Sequence, residues 1–228
     1  MPAVPREQRG PEASSRSSSR TSRPLRPSSS ALPPVVVGVP AVVVFDNETT
    51  GLDRSARLVE IAAIRYHDGV EFDRFVTLVD PGVRIPYEAT AVHGITDRMV
   101  KGSPKAAEVL KRFHEVIDGA VLVAHYAAFD LRIVNAELER VRLPLLSNRH
   151  VCTRNLARVH LDIYSFKLEE VARHLGVRKG PQQHRALGDA LLAAAVFHKL
   201  QERVTASGAG STRRAANVIS TTTSGRAR

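Results

Sequence analysis

The sequence predicts an α/β domain built on a mixed sheet, with helices packed against it. Three observations predict it. A short, almost wholly apolar run, Val42–Asp46, has the composition of a central strand buried on both faces. Two further strand-like segments, Leu58–Tyr66 and Glu71–Val79, flank His67-Asp68-Gly69, whose Asp-Gly pair is a hairpin signal. After them, segments of helical period alternate with short apolar strands, the order that gives βα units.

Taken in order, the first strand closes the apolar run from Val35 to Phe45, which ends at Asp46 and falls short of the roughly 18 apolar residues of a membrane span. Pro81 to Thr96 reads as a loop with Pro and Gly punctuation. Lys105–Ile117 carries apolar residues at helical spacing (Val109, Leu110, Phe113, Ile117). Ala120–Ala124 is a second buried strand, Ala127–Val141 a helix, and 149–153 a last short strand. Phe166–Leu175 and Arg185–Glu202 complete the helices.

The 228 residues have room for one ordinary domain plus tails, and the 43% hydrophobic content suits a core. Aromatic residues make up only 5% and tryptophan is absent, so that core is expected to consist of Val, Leu, Ile and Ala. Residues 1–38 are rich in Arg, Ser and Pro, and 205–228 in Gly, Ser, Thr and Arg. Both are expected to be disordered tails around a domain at 39–204. Of the formal net charge of +10, each tail carries +4, leaving +2 for the domain. The tails are therefore either solvated linkers or a source of sequence-independent attraction to phosphates. One cysteine, Cys152, excludes an internal disulfide and a Cys-based zinc site. No basic segment leads directly into an apolar one as in a secretion signal, so a cytoplasmic protein without membrane attachment is expected.

Three acidic segments carry the chemistry. In FDNETTGL, Asp46 and Glu48 are two apart at a strand end, so their side chains project to the same face. Adjacent carboxylates repel and are expensive to bury, and divalent cations with a taste for hard oxygen ligands relieve both costs. The plain alternative is a strand end facing water. In AHYAAFD, Asp130 follows a buried strand in the first turn of a helix, where an acid is also favoured for purely local reasons. In HRALGDA, His184 and Asp189 are five apart. On one continuous helix they would point about 140° from each other, so a shared site requires His184 to lie in the loop before the helix.

Jointly, these segments in this order resemble the histidine subclass of the DEDD superfamily of 3′→5′ exonucleases, and within it the proofreading epsilon subunits of bacterial DNA polymerase III. IPYEATAVHGITDRMV is similar to the family's segment between the first two motifs, and the likeness covers about residues 40–202. The resemblance implies a ribonuclease H-like fold with a five-stranded mixed sheet. It implies two Mg²⁺ or Mn²⁺ ions on Asp46, Glu48, Asp130 and Asp189, and His184 as the general base. It further implies that Thr49, Thr50, Gly51, Leu52, Val92, His93, His125 and Phe129 line the substrate pocket. The implied substrate is the 3′ end of a single-stranded nucleic acid, DNA in preference to RNA, with a DNA polymerase as a candidate partner. Two departures stand out. Tyr126 occupies a position where the family commonly has Asn, and Asn47 lies between the two ligands, facing the packed interior, where a polar side chain needs a partner. The competing readings are an exoribonuclease like RNase T or oligoribonuclease, and an inert module that keeps the fold and binds without cutting.

Overall fold

A computed structural model describes residues 41–178, 180 and 184–208. The expected tails fall outside these residues apart from 205–208, as does the start of the apolar run before Ala41.

The chain opens with three antiparallel strands, β1 (Val42–Thr49), β2 (Leu58–His67) and β3 (Val70–Leu78). The β2–β3 connection is as tight as its Asp-Gly predicts. Asp68 and Gly69 have φ of 49° and 77°, the pair of left-handed residues that matches the twist of a two-residue hairpin. Two short helices follow, α1 (Tyr87–His93) and α2 (Asp97–Val100), and then α3 (Ala106–Ile117). Strand β4 (Val121–Ala124) pairs parallel to β1, α4 (Ala127–Arg140) follows it directly, and β5 (His150–Cys152) pairs parallel to β4. Helices α5 (Thr153–His160), α6 (Leu168–His174) and α7 (Ala186–Gly208) complete the described chain. The sheet order is β3-β2-β1-β4-β5, so the strand bearing Asp46 is central, as its composition predicts.

Three helices depart from the sequence reading. The segment expected to be a loop, Pro81 to Thr96, contains α1, and neither α2 nor α5 was expected. In α1, Tyr87 and Val92 are exposed and only His93 is buried, so no apolar period marks the helix. Helix α5 begins at the residue after β5 with no turn signal between them. At the C-terminal end, α7 runs to Gly208, past both the predicted end at Glu202 and the expected domain limit at 204.

The strand alternation of β1 sorts its residues between two layers. Val43 and Phe45 enter the large core made with Leu110 and Phe113 of α3 and Ile133 and Val134 of α4. Val44 faces the other way, onto Ala193 of α7. Ala62 and Ile64 of β2 share that second face with Ala186 and Ala190. Alanines along α7 let its backbone lie close to the sheet, which brings the helix start over the end of β1.

Candidate active site

Asp46 and Glu48 continue the parity of Val44 and therefore emerge on the α7 face, where Asp189 meets them. One oxygen from each of these three carboxylates lies within 4.8 Å of the other two. Asp189 sits in the first turn of α7, and the start of that helix is pinned by a residue the sequence reading did not single out. Glu60 of β2, paired in register with Glu48, is buried and accepts a hydrogen bond from the Ala186 amide (2.9 Å). It also takes two hydrogen bonds from Arg185, one at 3.0 Å from Nε. A carboxylate at a helix N-terminus satisfies orphan amides and complements the dipole, so Glu60 fixes where α7 begins. Its visible signal was a lone acid within the apolar stretch LVEIAAI, on the same side as Ala62 and Ile64.

His184 precedes this anchored start. It is exposed, lies outside the helix and adopts φ = 51°, an uncommon conformation for a residue with a side chain. The loop condition required by the five-residue spacing is met. Its Nε2 is 3.8 Å from Glu169 Oε1 of α6.

Asp130 approaches from the opposite layer. It is buried in the first turn of α4, and Asn47 Nδ2 donates to its Oδ1 at 3.0 Å. Asn47 faces away from Asp46 and Glu48, so this bond ties the strand end to α4 and supplies the partner that a polar residue there requires. Among the described residues Asn47 Oδ1 is buried without a hydrogen-bond partner. Asp130 is outside the group of three mutually close carboxylates but acts on Asp46 electrostatically.

The charges conflict strongly. Burial, followed by repulsion from Asp130, Glu48, Asp189 and Glu60, holds the Asp46 carboxyl well above the usual carboxylate range. Burial, then Asp189, Glu60 and Asp130, pushes Glu48 up to about 8, with Arg185 opposing. Asp130 is pushed up to about 7 by burial, against hydrogen bonds from its own main chain and Asn47. Carboxyl groups crowded at one strand end, with burial and neighbouring acids opposing the ionisation of Asp46 and Glu48, are hard oxygen donors that fit a divalent cation.

The loop after β1 forms one lip. Thr49 is buried with its hydroxyl on the Gly51 carbonyl (2.6 Å), and the Thr50 hydroxyl accepts from the Arg57 amide (2.9 Å). The space beside Gly51 is open. Leu52 is 81% exposed on a loop that α4 holds by its carbonyls, through Arg132 on Leu52 and Asp53 and Arg140 on Arg54 and Ala56. Val92 is exposed and Phe129 partly buried.

The two remaining pocket candidates, His93 and His125, are buried with both ring nitrogens engaged. His93 Nδ1 accepts from the Ile95 amide at 3.0 Å, which leaves Nε2–H for the Thr49 carbonyl at 3.3 Å. The Phe166 carbonyl 2.9 Å from His125 Nε2 can only accept, so Nδ1 takes the Thr153 hydroxyl, also at 2.9 Å. Burial lowers the pKa of His125 to about 4, keeping it neutral. Both histidines thus fix neighbouring segments rather than offering a free ring edge.

A family model described as exonuclease matches residues 43–197. The DNA polymerase III subunit epsilon of Aquifex aeolicus is 35% identical over 164 residues, covering 71% of this chain and 81% of that protein. A PolC-type DNA polymerase III of Clostridium perfringens is 40% identical over 168 residues, but the chain spans only 12% of its length. The DNA polymerase III subunit epsilon-like protein of Rhodobacter capsulatus is 40% identical over 177 residues, 24% of its length. Among solved structures, Exonuclease X in complex with 5′ overhanging duplex DNA matches with a TM-score of 0.59 at 30% identity, covering 73% of this chain and 93% of that one. E. coli Exonuclease I in complex with a dT13 oligonucleotide shares the fold, with a TM-score of 0.66 at 18% identity over 74% of this chain and 42% of that one.

Proposed function

The chain belongs to the exonuclease family, and from that premise we propose that it hydrolyses single-stranded DNA from the 3′ end, releasing nucleoside 5′-monophosphates in proofreading or repair. The observation that carries this reading is the meeting of Asp46, Glu48 and Asp189 oxygens within 4.8 Å at the end of the central strand. Asp46, Glu48, Asp189 and Asp130 would hold two Mg²⁺ or Mn²⁺ ions. Bound there, the ions supply positive charge that acidifies water and offsets the negative charge of the phosphate.

The chain's own groups account for the rest of the reaction. As water attacks the terminal phosphorus, its proton would pass to His184, an exposed imidazole that lies outside the helix and the side-chain type best suited to general-base work at neutral pH. The bond from phosphorus to the 3′-oxygen of the penultimate nucleotide breaks, and that oxygen remains on the shortened strand. Exposed Leu52 and Val92, with Phe129, would meet the terminal bases, while the main chain of Thr49, Thr50 and Gly51 approaches the sugar-phosphate. His93 and His125 would contribute by fixing these segments.

Among the described residues no helix is long and apolar enough to cross a membrane; separately, we propose a cytoplasmic protein, in keeping with its DNA polymerase III relatives. Its likeness to polymerase III subunits supports a DNA polymerase as partner. The test is release of mononucleotides from single-stranded DNA with and without Mn²⁺, repeated with Asp46→Ala. Metal-dependent release lost in the variant is expected; equal behaviour of the two proteins sinks the metal site. A strong preference for RNA of equal length transfers the activity to the exoribonuclease reading.

A further inference from the structure

Tyr126, the residue that departs from the family pattern, is half exposed immediately before α4. Its ring lies nearly parallel to that of Phe129, with centroids 6.2 Å apart and planes 17° from each other. The Arg154 guanidinium stands 4.7 Å over the Tyr126 ring, and that of Arg132 stands 5.1 Å from Phe129. Cation, ring, ring and cation therefore follow one another across the start of α4 and α5.

Two further facts give this row a purpose. Among the described residues neither Arg132 nor Arg154 has a carboxylate at ion-pairing distance; Arg132 donates to the Leu52 and Asp53 carbonyls, and the Asp53 carboxyl feels its charge only from further off. The row is also held rigid from below. The His125 carbonyl accepts the Arg154 amide, and the buried His125 ring spans Thr153 and Phe166, so the starts of α4 and α5 cannot drift apart. Within the row Phe129 is the chain neighbour of Asp130, and at its end Arg132 also grips the Leu52 loop.

We propose that Arg154, Tyr126, Phe129 and Arg132 form a track for the single strand on the 5′ side of the scissile nucleotide. The proposal rests on the exonuclease reading only for direction: with the 3′ end at the carboxylates, every further nucleotide must leave on the 5′ side. The recognised chemistry is a base against the exposed part of the Tyr126–Phe129 pair, with a phosphate on a guanidinium that no carboxylate of the described residues holds at ion-pairing distance. Such stacking tolerates any base, and the guanidinium presents N–H groups in the plane that phosphate oxygens accept.

The experiment compares two substrates and one binding measurement. Thymidine 5′-phosphate p-nitrophenyl ester engages the carboxylates but has no upstream nucleotides, and a single-stranded DNA of about eight nucleotides reaches along the track. Tyr126→Ala is expected to raise KM for the oligonucleotide about tenfold and leave hydrolysis of the ester unchanged, with Tyr126→Phe close to wild type. Arg154→Ala is expected to shallow the salt dependence of oligonucleotide binding by about 0.7 in log–log slope. Binding of a fluorescent oligonucleotide in EDTA, where nothing is cut, gives the same ranking independently of catalysis. Equal losses on both substrates, or no change in oligonucleotide binding for either variant, overturns the track. A wild-type protein that hydrolyses neither substrate overturns the exonuclease reading instead, and the EDTA titration still decides the track.

Discussion

The two faces of the sheet are built from the same strand to opposite ends. On one side of β1, Val43 and Phe45 pack against α3 and α4 in the largest apolar cluster, with Phe45 and Phe113 rings 5.7 Å apart. On the other side, one residue out of step, Val44 gives way to Asp46 and Glu48 beneath α7. The first face lowers the free energy of the fold. The second stores like charges that raise it, and only the neighbouring apolar layer makes that tolerable. Stability and chemistry are separated by the two-residue period of a strand, with the Asn47–Asp130 bond as a polar link between the faces.

The largest expected effect breaks the charged face. Asp46→Asn is expected to lower mononucleotide release by on the order of a thousand-fold while raising the metal-free melting temperature, because a repelling charge is gone. A variant that loses both activity and stability contradicts the separation. The mirror experiment is Phe45→Ala, expected to cost about 3–5 kcal/mol in urea unfolding while the folded fraction at low temperature keeps its Mn²⁺ affinity. Calorimetric titration that showed Mn²⁺ binding lost at full folding would make the two faces one unit.

Glu60 sharpens the comparison from the charged side. Glu60→Gln leaves Arg185 without its carboxylate and weakens the cap on Ala186, so about 2 kcal/mol of stability is expected to go. Because His184 and Asp189 both depend on where α7 starts, kcat is expected to fall more than KM rises. An unchanged kcat would reduce Glu60 to a structural ion pair.

The smallest effect is on pH dependence without metal. Folding raises the pKa of Asp46, takes Glu48 to about 8 and Asp130 to about 7. The native state therefore binds more protons than the unfolded chain between their ordinary and raised values. Metal-free stability should fall as pH rises from about 4 toward about 8, and Mn²⁺, which binds the ionised carboxylates, should restore it at the upper end. Melting curves in EDTA that stay flat across this window contradict the charge conflict.

Much of the site was legible because its signals are local. The parity of Asp46 and Glu48 follows from strand geometry, and a site shared by His184 and Asp189, five residues apart, requires the position outside the helix that His184 occupies. The central strands were legible for the same reason, since apolar runs and an Asp-Gly turn act over a few residues. Helices α1 and α5 were not, because seven or eight residues give a helical pattern only about two turns to repeat in, and such helices are held by what they touch.

Residue order alone therefore determined the sheet, the hairpin, the acidic face of β1 and the need for a loop at His184. Tertiary structure alone decided that Glu60 starts α7, that Asn47 holds Asp130, that His125 is a staple, and that Tyr126 lies between Phe129 and Arg154. Each of these joins residues distant in the chain or turns on the direction of one side chain. Packing fixes such relations; the period of a strand or helix cannot.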